Sequence, residues 1–196
     1  MFNSGTVPHR VLDGARPLGD PEGMALAVCL LFDRRSERLV RELWDRLEAH
    51  GVRTLASHTH RRHHPHLSYA VLRSWDLVLA QEALAGLPDA GPVALRCYGT
   101  LTFPRGRFAL APAVTVDVAR RQERVVAAVA TAGDLHHHYL PGWWLPHVSV
   151  ATRARGADLP LVARTVADTL PLTLVADRAA LVDSATGRTW PLPCIP

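Results

Sequence analysis

The chain of 196 residues is long enough for one domain of ordinary size and too short for three. Its composition, 48% hydrophobic and 20% charged, is that of a globular protein and excludes a disordered one. No apolar run approaches the ~18 residues that a membrane-spanning helix needs, so we expect no membrane segment. The net charge of +4, carried by arginine with no lysine at all, is compatible with an anionic partner.

The N-terminal segment differs from the rest of the chain. Residues 1–23 contain glycine and proline at short intervals, which predicts a flexible arm before a single domain over 24–196. The segment lacks the charged start and apolar stretch of a signal peptide. Three cysteines, Cys29, Cys97 and Cys194, are too few and too scattered for a disulfide framework. A reducing cytoplasm is therefore the simplest expected location.

The first half of the domain is expected to alternate strands and helices. Short apolar or alternating runs predict strands, and apolar residues at helical spacing after a capping aspartate predict helices. The predicted strands cover 24–32, 66–71 and 93–103, and the predicted helices begin at Asp33 and Asp76. A polar, histidine-rich stretch, 58–64, precedes the second strand.

The second half repeats the same order. Strands are predicted over 108–116, 147–151 and 172–182, with a short last strand near Trp190, and helices are predicted to begin at Asp117 and Asp158. A second histidine-rich stretch, 136–138, again precedes the middle strand. Asp33 and Asp117, His66 and His147, and Asp76 and Asp158 are separated by 84, 81 and 82 residues. This regularity predicts two similar lobes, roughly 24–103 and 107–196, around a pseudo-twofold axis.

The middle strands of the two halves carry matching motifs. Pro65 to Ala70 reads Pro-His-Leu-Ser-Tyr-Ala, and Pro146 to Ala151 reads Pro-His-Val-Ser-Val-Ala, with four of six positions identical. Residues i and i+2 share one face of a strand. Each histidine therefore points to the same side as the serine two positions later. If the lobes face each other, two imidazoles and two hydroxyls meet in one cleft, an arrangement that suits a phosphate.

Two imidazoles can carry out a phosphoester reaction without a metal. One accepts a proton from the attacking water or hydroxyl, and the other donates a proton to the departing oxygen. An unperturbed pKa of about 6.5 makes both forms of histidine available near neutral pH. Each proton transfer typically contributes about 10²- to 10⁴-fold in rate. The serines can donate hydrogen bonds to the phosphoryl oxygens and stabilise charge that develops there.

The two motifs resemble the paired His-x-Ser/Thr-x signatures of the 2H phosphoesterase superfamily, in particular its 2′-5′ RNA ligase and cyclic phosphodiesterase family. The segment from Tyr139 to His147, Tyr-Leu-Pro-Gly-Trp-Trp-Leu-Pro-His, is similar to the approach to the second motif in that family. The resemblance extends over roughly residues 24–192. It implies a bilobal α/β fold with two mainly antiparallel sheets, flanked by helices, around a central cleft.

The resemblance also implies an activity and its residues. His66 and His147 would be the catalytic acid/base pair, and Ser68 and Ser149 would bind the substrate phosphate. The expected reaction is hydrolysis of a 2′,3′-cyclic phosphate, at an RNA end or in a small nucleotide, with no metal and no cofactor. Ligation of RNA through a 2′-5′ bond is the alternative. A chain without lysine cannot use the ligase chemistry in which a lysine carries a covalent nucleotide, so it would have to join RNA by reversing hydrolysis.

Further substrate contacts are expected near the motifs. The candidates are Tyr69, Tyr139, Trp143, Trp144 and Arg153. Aromatic rings can stack on bases, although an aromatic next to a strand is more often part of the core. Both hydroxyl positions are serine, whereas threonine is commoner in the family. Arg153 lies six residues after His147, whereas many members have a basic residue five after, which leaves its role open.

Two other kinds of function stay open at this stage. The histidines of the two rich stretches, His58, His60, His63 and His64 with His136, His137 and His138, could together bind a metal ion, since imidazole suits Zn, Cu, Ni and Fe. Their spacing is not that of a standard zinc site, and polar loops at the cleft rim are the simpler interpretation. The chain could also be a non-catalytic module that binds RNA or a nucleotide. No protein partner is evident from the sequence.

Overall fold

The computed structural model describes residues 25–196, so the predicted arm over 1–23 lies outside the described residues. These residues form four α-helices and eight strands, and each helix lies between strands in the chain order. The strands are β1 (Leu26–Phe32), β2 (His66–Trp75), β3 (Val93–Phe103), β4 (Arg107–Pro112), β5 (Gly133–Leu135), β6 (Val148–Ala151), β7 (Leu172–Asp183) and β8 (Thr189–Pro191). The helices are α1 (Arg34–Glu48), α2 (Leu77–Ala85), α3 (Val116–Val129) and α4 (Leu159–Ala167). None of the described helices is long and apolar enough to cross a membrane.

Aspartate occupies the N-cap position of three of the four helices, as predicted. The Asp33 side chain accepts the backbone N–H of Ser36 at 2.7 Å, and the Asp76 side chain accepts that of Leu79 at 3.0 Å. Asp158 occupies the N-cap position of α4, but its carboxylate accepts the backbone N–H of Arg155, which precedes the helix, rather than an amide of the first turn. The carboxylates of Asp33 and Asp76 satisfy amides that the first turn leaves without a partner. The polar sequence between the strands therefore sets where these helices begin.

The start of α3 corrects a prediction. The N-cap is Thr115, whose hydroxyl accepts the backbone N–H of Val118 at 3.2 Å, and Asp117 lies inside the first turn. There Asp117 pairs with Arg121 at 2.8 Å, and the Arg121 side chain is buried and also donates to two backbone oxygens of the 90–91 loop. These carbonyls and the carboxylate together satisfy the buried guanidinium of Arg121.

The strands confirm the α/β class and the antiparallel arrangement. All seven strand pairings are antiparallel, and the strands form one continuous sheet in the order β5-β2-β1-β7-β3-β4-β6, with β8 paired to β7. The two expected sheets are thus hydrogen-bonded into one through the β7–β3 ladder. Helices α1 and α4 pack together, as do α2 and α3.

Strand pairing does not follow the two halves of the sequence. From the second half, β7 lies between β1 and β3, and β5 pairs with β2. From the first half, β3 pairs with β4, and the loop between them, 104–106, is a hairpin turn. The expected lobe boundary therefore falls within a hairpin. This exchange of strands joins the two halves through backbone hydrogen bonds.

The core forms on the faces that the alternating pattern predicted. Leu67 and Tyr69 on β2, and Val148 and Val150 on β6, have no exposed surface. They pack with the apolar face of α1, whose innermost side chains are Val40, Leu43, Trp44 and Leu47. Because side chains alternate along a strand, this burial turns the intervening histidines and serines to the opposite face.

Candidate active site

The first motif lies on β2, the second strand from one end of the sheet. His66 is the first residue of β2, and both His66 and Ser68 are half-buried, between the fully buried Leu67 and Tyr69. In the ladder with β1, His66 is opposite Leu31 and Ser68 is opposite Cys29. The register is held by the apolar residues of both strands, since a shift by one residue would turn them out of the core. The imidazole and the hydroxyl therefore share one face.

The second motif repeats this arrangement on β6. His147 directly precedes the strand, and both His147 and Ser149 are half-buried, between positions that are fully buried. Ser149 is opposite Ala109 in the ladder with β4. Each lobe thus presents one imidazole and one hydroxyl from equivalent strand positions.

The two histidine rings are held in the same way. Nδ1 of His66 lies 2.7 Å from the backbone oxygen of His64, and Nδ1 of His147 lies 2.8 Å from that of Leu145. A carbonyl oxygen only accepts, so Nδ1 carries the proton in both rings. In the neutral rings, Nε2 is therefore the basic nitrogen. Both histidines are fixed in one tautomer and in one orientation, which prepares them for proton transfer at Nε2.

Burial favours the neutral form of both rings. It lowers the pKa of His66 below its ordinary value, although the His64 carbonyl opposes this shift, and the charge of His147 lowers the pKa further. Burial also lowers the pKa of His147, opposed by the Leu145 carbonyl and reinforced by the positive charge of Arg107. A proton on His147 thus disfavours a proton on His66, so simultaneous protonation of both rings is disfavoured.

Two tryptophans fix the strands that carry the motifs. The indole Nε1 of Trp144 donates to the backbone oxygen of Ser68 at 3.0 Å. The indole Nε1 of Trp44, on α1, donates to the backbone oxygen of Ser149, also at 3.0 Å. Trp144 lies three residues before His147, so its contact with Ser68 ties the second motif directly to the first. The structure therefore brings the two motifs together, as the sequence predicted.

The Ser68 hydroxyl belongs to a small polar network. It lies 3.5 Å from Sγ of Cys29, and the phenol of Tyr139 is close enough to interact with it electrostatically. Burial raises the pKa of Tyr139 and of Cys29 to about 12 each, so both groups stay protonated at neutral pH. When Tyr139 donates its proton to Ser68 Oγ, the serine proton is left to be donated into the cleft. Tyr139, expected as a base-stacking residue, thus turns its hydroxyl towards a motif serine.

The β3–β4 hairpin contributes two residues that the sequence analysis did not single out as site residues. The ring of Phe103 packs against that of His147, with centroids 4.9 Å apart. Arg107 begins β4 and is opposite Phe103 in the ladder with β3. Only the strand register reveals that these positions share the face of His147.

The remaining expected contacts have different surroundings. Tyr69 is fully buried and packs against Trp144, so it belongs to the core rather than to the cleft surface, which corrects its expected substrate contact. Trp144 is half-buried, whereas Trp143 is 72% exposed. Arg153 is exposed in the loop after β6. Trp44 was assigned to the helix core, and nothing in the helical spacing indicates that its N–H reaches a motif serine.

The extra histidines form two local clusters. His60 and His63 have ring centroids 4.1 Å apart, and burial, together with the neighbouring imidazoles, lowers the pKa of His63 to about 4. The ring of His60 packs on the backbone of Gly187, where any larger residue would overlap it. This contact anchors the 58–64 loop against the β7–β8 turn, which agrees with the interpretation as a structured polar loop.

Among the described residues, His136, His137 and His138 form a group whose possible metal-binding nitrogens lie close together. Their nitrogens lie within 4.8 Å of one another, so the group could hold a metal ion. Tetrahedral zinc with bonds of about 2.0–2.1 Å needs its nitrogens about 3.4 Å apart, so the rings would have to move closer. Within residues 25–196, the histidines of 58–64 do not join this group.

A comparison with sequence models of protein families shows the family to which the chain belongs. The sequence model described as the 2′-5′ RNA ligase superfamily matches residues 34–188, which include both motifs and the β3–β4 hairpin. The chain belongs to the 2′-5′ RNA ligase superfamily. This confirms the resemblance to the 2H phosphoesterases, and it supports a phosphoesterase-like or RNA ligase-like function.

Solved structures share the fold of this superfamily member. A crystal structure of a phosphoesterase is 16% identical, with a TM-score of 0.52, over 88% of this chain and 95% of that one. The structure of Kluyveromyces marxianus Usb1 with uridine monophosphate is 14% identical, with a TM-score of 0.50, over 86% of this chain and 98% of that one. At these identities the likeness shows the fold alone. No curated protein matches the chain.

Proposed function

We propose that this chain is a metal-independent phosphoesterase that hydrolyses a 2′,3′-cyclic phosphate, at an RNA end or in a small nucleotide. The observation that carries the proposal is the matched pair of Nδ1–carbonyl hydrogen bonds at His66 and His147. These bonds leave two equivalent Nε2 atoms, one on each motif, for proton transfer. Membership of the superfamily supports the same class of reaction.

The proposed step needs only the two imidazoles and water. Neutral His66 or His147 accepts a proton from water at Nε2 while the water oxygen forms a bond to phosphorus. The other imidazole, protonated at Nε2, donates that proton to the 3′ oxygen as its bond to phosphorus breaks. The product is a 2′-phosphate with a free 3′ hydroxyl, and exchange with solvent restores the two protonation states. The near-equivalent surroundings of the rings allow either to start as the base.

The serines complete the proposed site. As water attacks, negative charge grows on the non-bridging phosphoryl oxygens, and hydroxyl donors aimed at those oxygens lower the barrier. Ser68 and Ser149 occupy equivalent positions two residues after the histidines. If the phenol of Tyr139 donates to Ser68 Oγ, the Ser68 proton is available for this contact.

A nucleotide is the proposed substrate class. One structural relative was solved with uridine monophosphate, a ligand with a phosphate and a pyrimidine base. In this chain, the rings of Phe103 beside His147 and of the exposed Trp143 offer aromatic surface near the motifs. Aromatic side chains can stack on any base, so a range of nucleotides is expected to bind.

Ligation is the second candidate, supported by the superfamily to which the chain belongs. In this direction a 5′ hydroxyl replaces water as the nucleophile on the cyclic phosphate. Its proton passes to one imidazole, and the other protonates the 3′ oxygen, which leaves a 2′-5′ linkage. The same groups serve both reactions, so RNA substrates with defined ends are needed to separate them.

The test is turnover of the four 2′,3′-cyclic mononucleotides and of a short RNA with a cyclic-phosphate end, each with and without a chelator. We expect a 2′-phosphate product at a rate that the chelator does not change. An RNA with a 5′ hydroxyl added to the second assay detects ligation. Binding of these ligands without turnover contradicts the proposal and indicates a binding module. Loss of activity on chelation, restored by a metal, contradicts the metal-independent mechanism.

A further inference from the structure

Arg107 lies on the face of the sheet that carries the second histidine. It is the first residue of β4 and is directly opposite Phe103 in the antiparallel ladder with β3. Residues directly opposite in such a ladder project from the same face. The Phe103 ring packs against the ring of His147, with 4.9 Å between centroids. Arg107 is therefore on the His147 face of the hairpin rather than on its outer surface.

The charge of Arg107 acts on groups of both motifs. It lowers the pKa of His147 in the second motif. It also lowers the pKa of Tyr139, whose phenol lies near Ser68 of the first motif. Both effects are secondary to burial. Together with the ladder register, they put the guanidinium within electrostatic reach of both sides of the cleft.

Arg107 has no carboxylate partner within residues 25–196. Some arginines of the described sheet and helices are paired, such as Arg121 with Asp117 at 2.8 Å and Arg178 with Asp177 at 3.1 Å, whereas others, such as Arg96 and Arg120, have no ion pair among the described residues. An uncompensated guanidinium beside an imidazole makes protonation of that imidazole harder. A bound anion would offset the charge of Arg107 and remove this cost. The positive charge beside His147 is therefore balanced when an anion occupies the cleft.

We propose that Arg107 binds the non-bridging oxygens of the substrate's reacting phosphate group. The role of Arg107 in the reaction rests on the proposed function, whereas the binding of a phosphate by Arg107 does not. A guanidinium presents planar N–H donors that match the oxygens of a phosphate, and its charge is permanent. Charge on those oxygens grows as the nucleophile attacks, so Arg107 stabilises the transition state more than the bound substrate. By neutralising the guanidinium, the phosphate also permits a proton on His147.

The binding test uses a nucleoside 2′-phosphate, the class of the expected product, titrated into the full chain by calorimetry. The variants are Arg107→Gln and Arg107→Lys, with Arg105→Gln as the matched control. Arg105 is an exposed arginine two residues away in the same hairpin turn. A hydrogen bond to a charged group typically contributes enough to change affinity by about 10- to 100-fold. We expect a loss of this size for Arg107→Gln, partial recovery with lysine, and less than about a twofold change for the control.

Two results of this titration overturn the inference. One is an unchanged affinity in Arg107→Gln. The other is an equal loss in Arg105→Gln, which indicates a general effect of net charge. Wild-type protein that binds no nucleoside 2′-phosphate at all overturns it as well. Circular dichroism spectra and unfolding midpoints of the three variants confirm that each is folded.

Kinetic measurements then show whether Arg107 contacts the reacting phosphate or a neighbouring phosphate of an RNA substrate. If Arg107 binds the reacting group, Arg107→Gln lowers kcat/KM by a similar factor for a cyclic mononucleotide and for RNA with a cyclic-phosphate end. A loss confined to RNA overturns the inference, because it places Arg107 at a neighbouring phosphate. If wild-type protein turns over neither substrate, the proposed function fails, while the titration still decides whether Arg107 binds phosphate.

Discussion

Trp144 donates its indole N–H to the backbone oxygen of Ser68 across 3.0 Å, and this bond joins the two motifs of the chain. The segment that leads to His147 is thereby fixed against the strand that carries His66. Trp44 makes the equivalent bond to Ser149, also at 3.0 Å. An indole N–H is a donor only, so each bond satisfies a carbonyl that its strand neighbours leave open.

We expect Trp144→Phe to lower the free energy of unfolding by about 1–3 kcal/mol, because the Ser68 carbonyl loses a buried donor while the aromatic ring is largely kept. Displacement of the Ser68 strand should also lower activity. Trp143→Phe, at a position 72% exposed, is the control and should change stability by less than about 0.5 kcal/mol. Urea unfolding followed by circular dichroism measures both. Equal effects of the two substitutions would contradict the role of the Trp144 bond.

Tyr139→Phe tests whether a hydrogen bond from the phenol of Tyr139 orients the Ser68 hydroxyl. Loss of a neutral hydrogen bond is expected to lower kcat/KM by about 2- to 10-fold. If Tyr139 acts through Ser68, the substitution has little further effect in a Ser68→Ala background, because the two positions are coupled. Tyr69→Phe is the matched control, since the buried Tyr69 hydroxyl has no hydrogen-bond partner among the described residues. Its removal should leave activity unchanged. Additive effects of Tyr139→Phe and Ser68→Ala would show that Tyr139 acts independently of Ser68.

His66→Asn and His147→Asn should each lower turnover by about 10²- to 10⁴-fold, the usual contribution of one general acid or base. The asparagine amide can still donate to the backbone oxygen that Nδ1 now contacts, but it offers no basic nitrogen at the position of Nε2. The fold should therefore persist. His50→Asn, at an exposed position after α1, is the control and should be fully active. Near-normal hydrolysis by both motif variants would exclude the two-histidine mechanism.

The pH dependence of kcat/KM reports the histidines of the free protein. The active form has one neutral and one protonated imidazole, so the rate is highest between their two pKa values. Burial lowers the pKa values of both histidines below the ordinary 6.5. Positive charge on the imidazoles of His64 and His147 lowers the pKa of His66 further, and the charge of Arg107 lowers that of His147 further. We therefore expect the maximum of kcat/KM below pH 6.5, with a fall at higher pH as the acid loses its proton. Arg107→Gln raises the pKa of His147 and should move the maximum to higher pH. A maximum above pH 7 contradicts the burial of the pair.

Much of the site could be predicted from local sequence, because strand alternation and helix capping depend on residues that are close together in the chain. Alternation along a strand decides that His66 and Ser68 share a face, since Leu67 and Tyr69 must reach the core. The repeat of the same six-residue pattern predicts an equivalent second strand. Capping by Asp33 depends only on the residues just after it, and it was predicted correctly. The same local reasoning was wrong at Asp117, because Thr115 lies two residues earlier and can cap the helix equally well.

Tertiary structure decided which residues surround the two motifs. The sequence alone determined the two His-x-Ser strands, their faces and the doubled order of elements, because these follow from periodicities of two and 3.6 residues. It could not determine that β7 lies between β1 and β3, that Trp44 and Trp144 reach the motif carbonyls, or that Arg107 shares a face with His147. Those relations join residues far apart in the chain through strand register and side-chain reach, and both are fixed only when the apolar faces pack together.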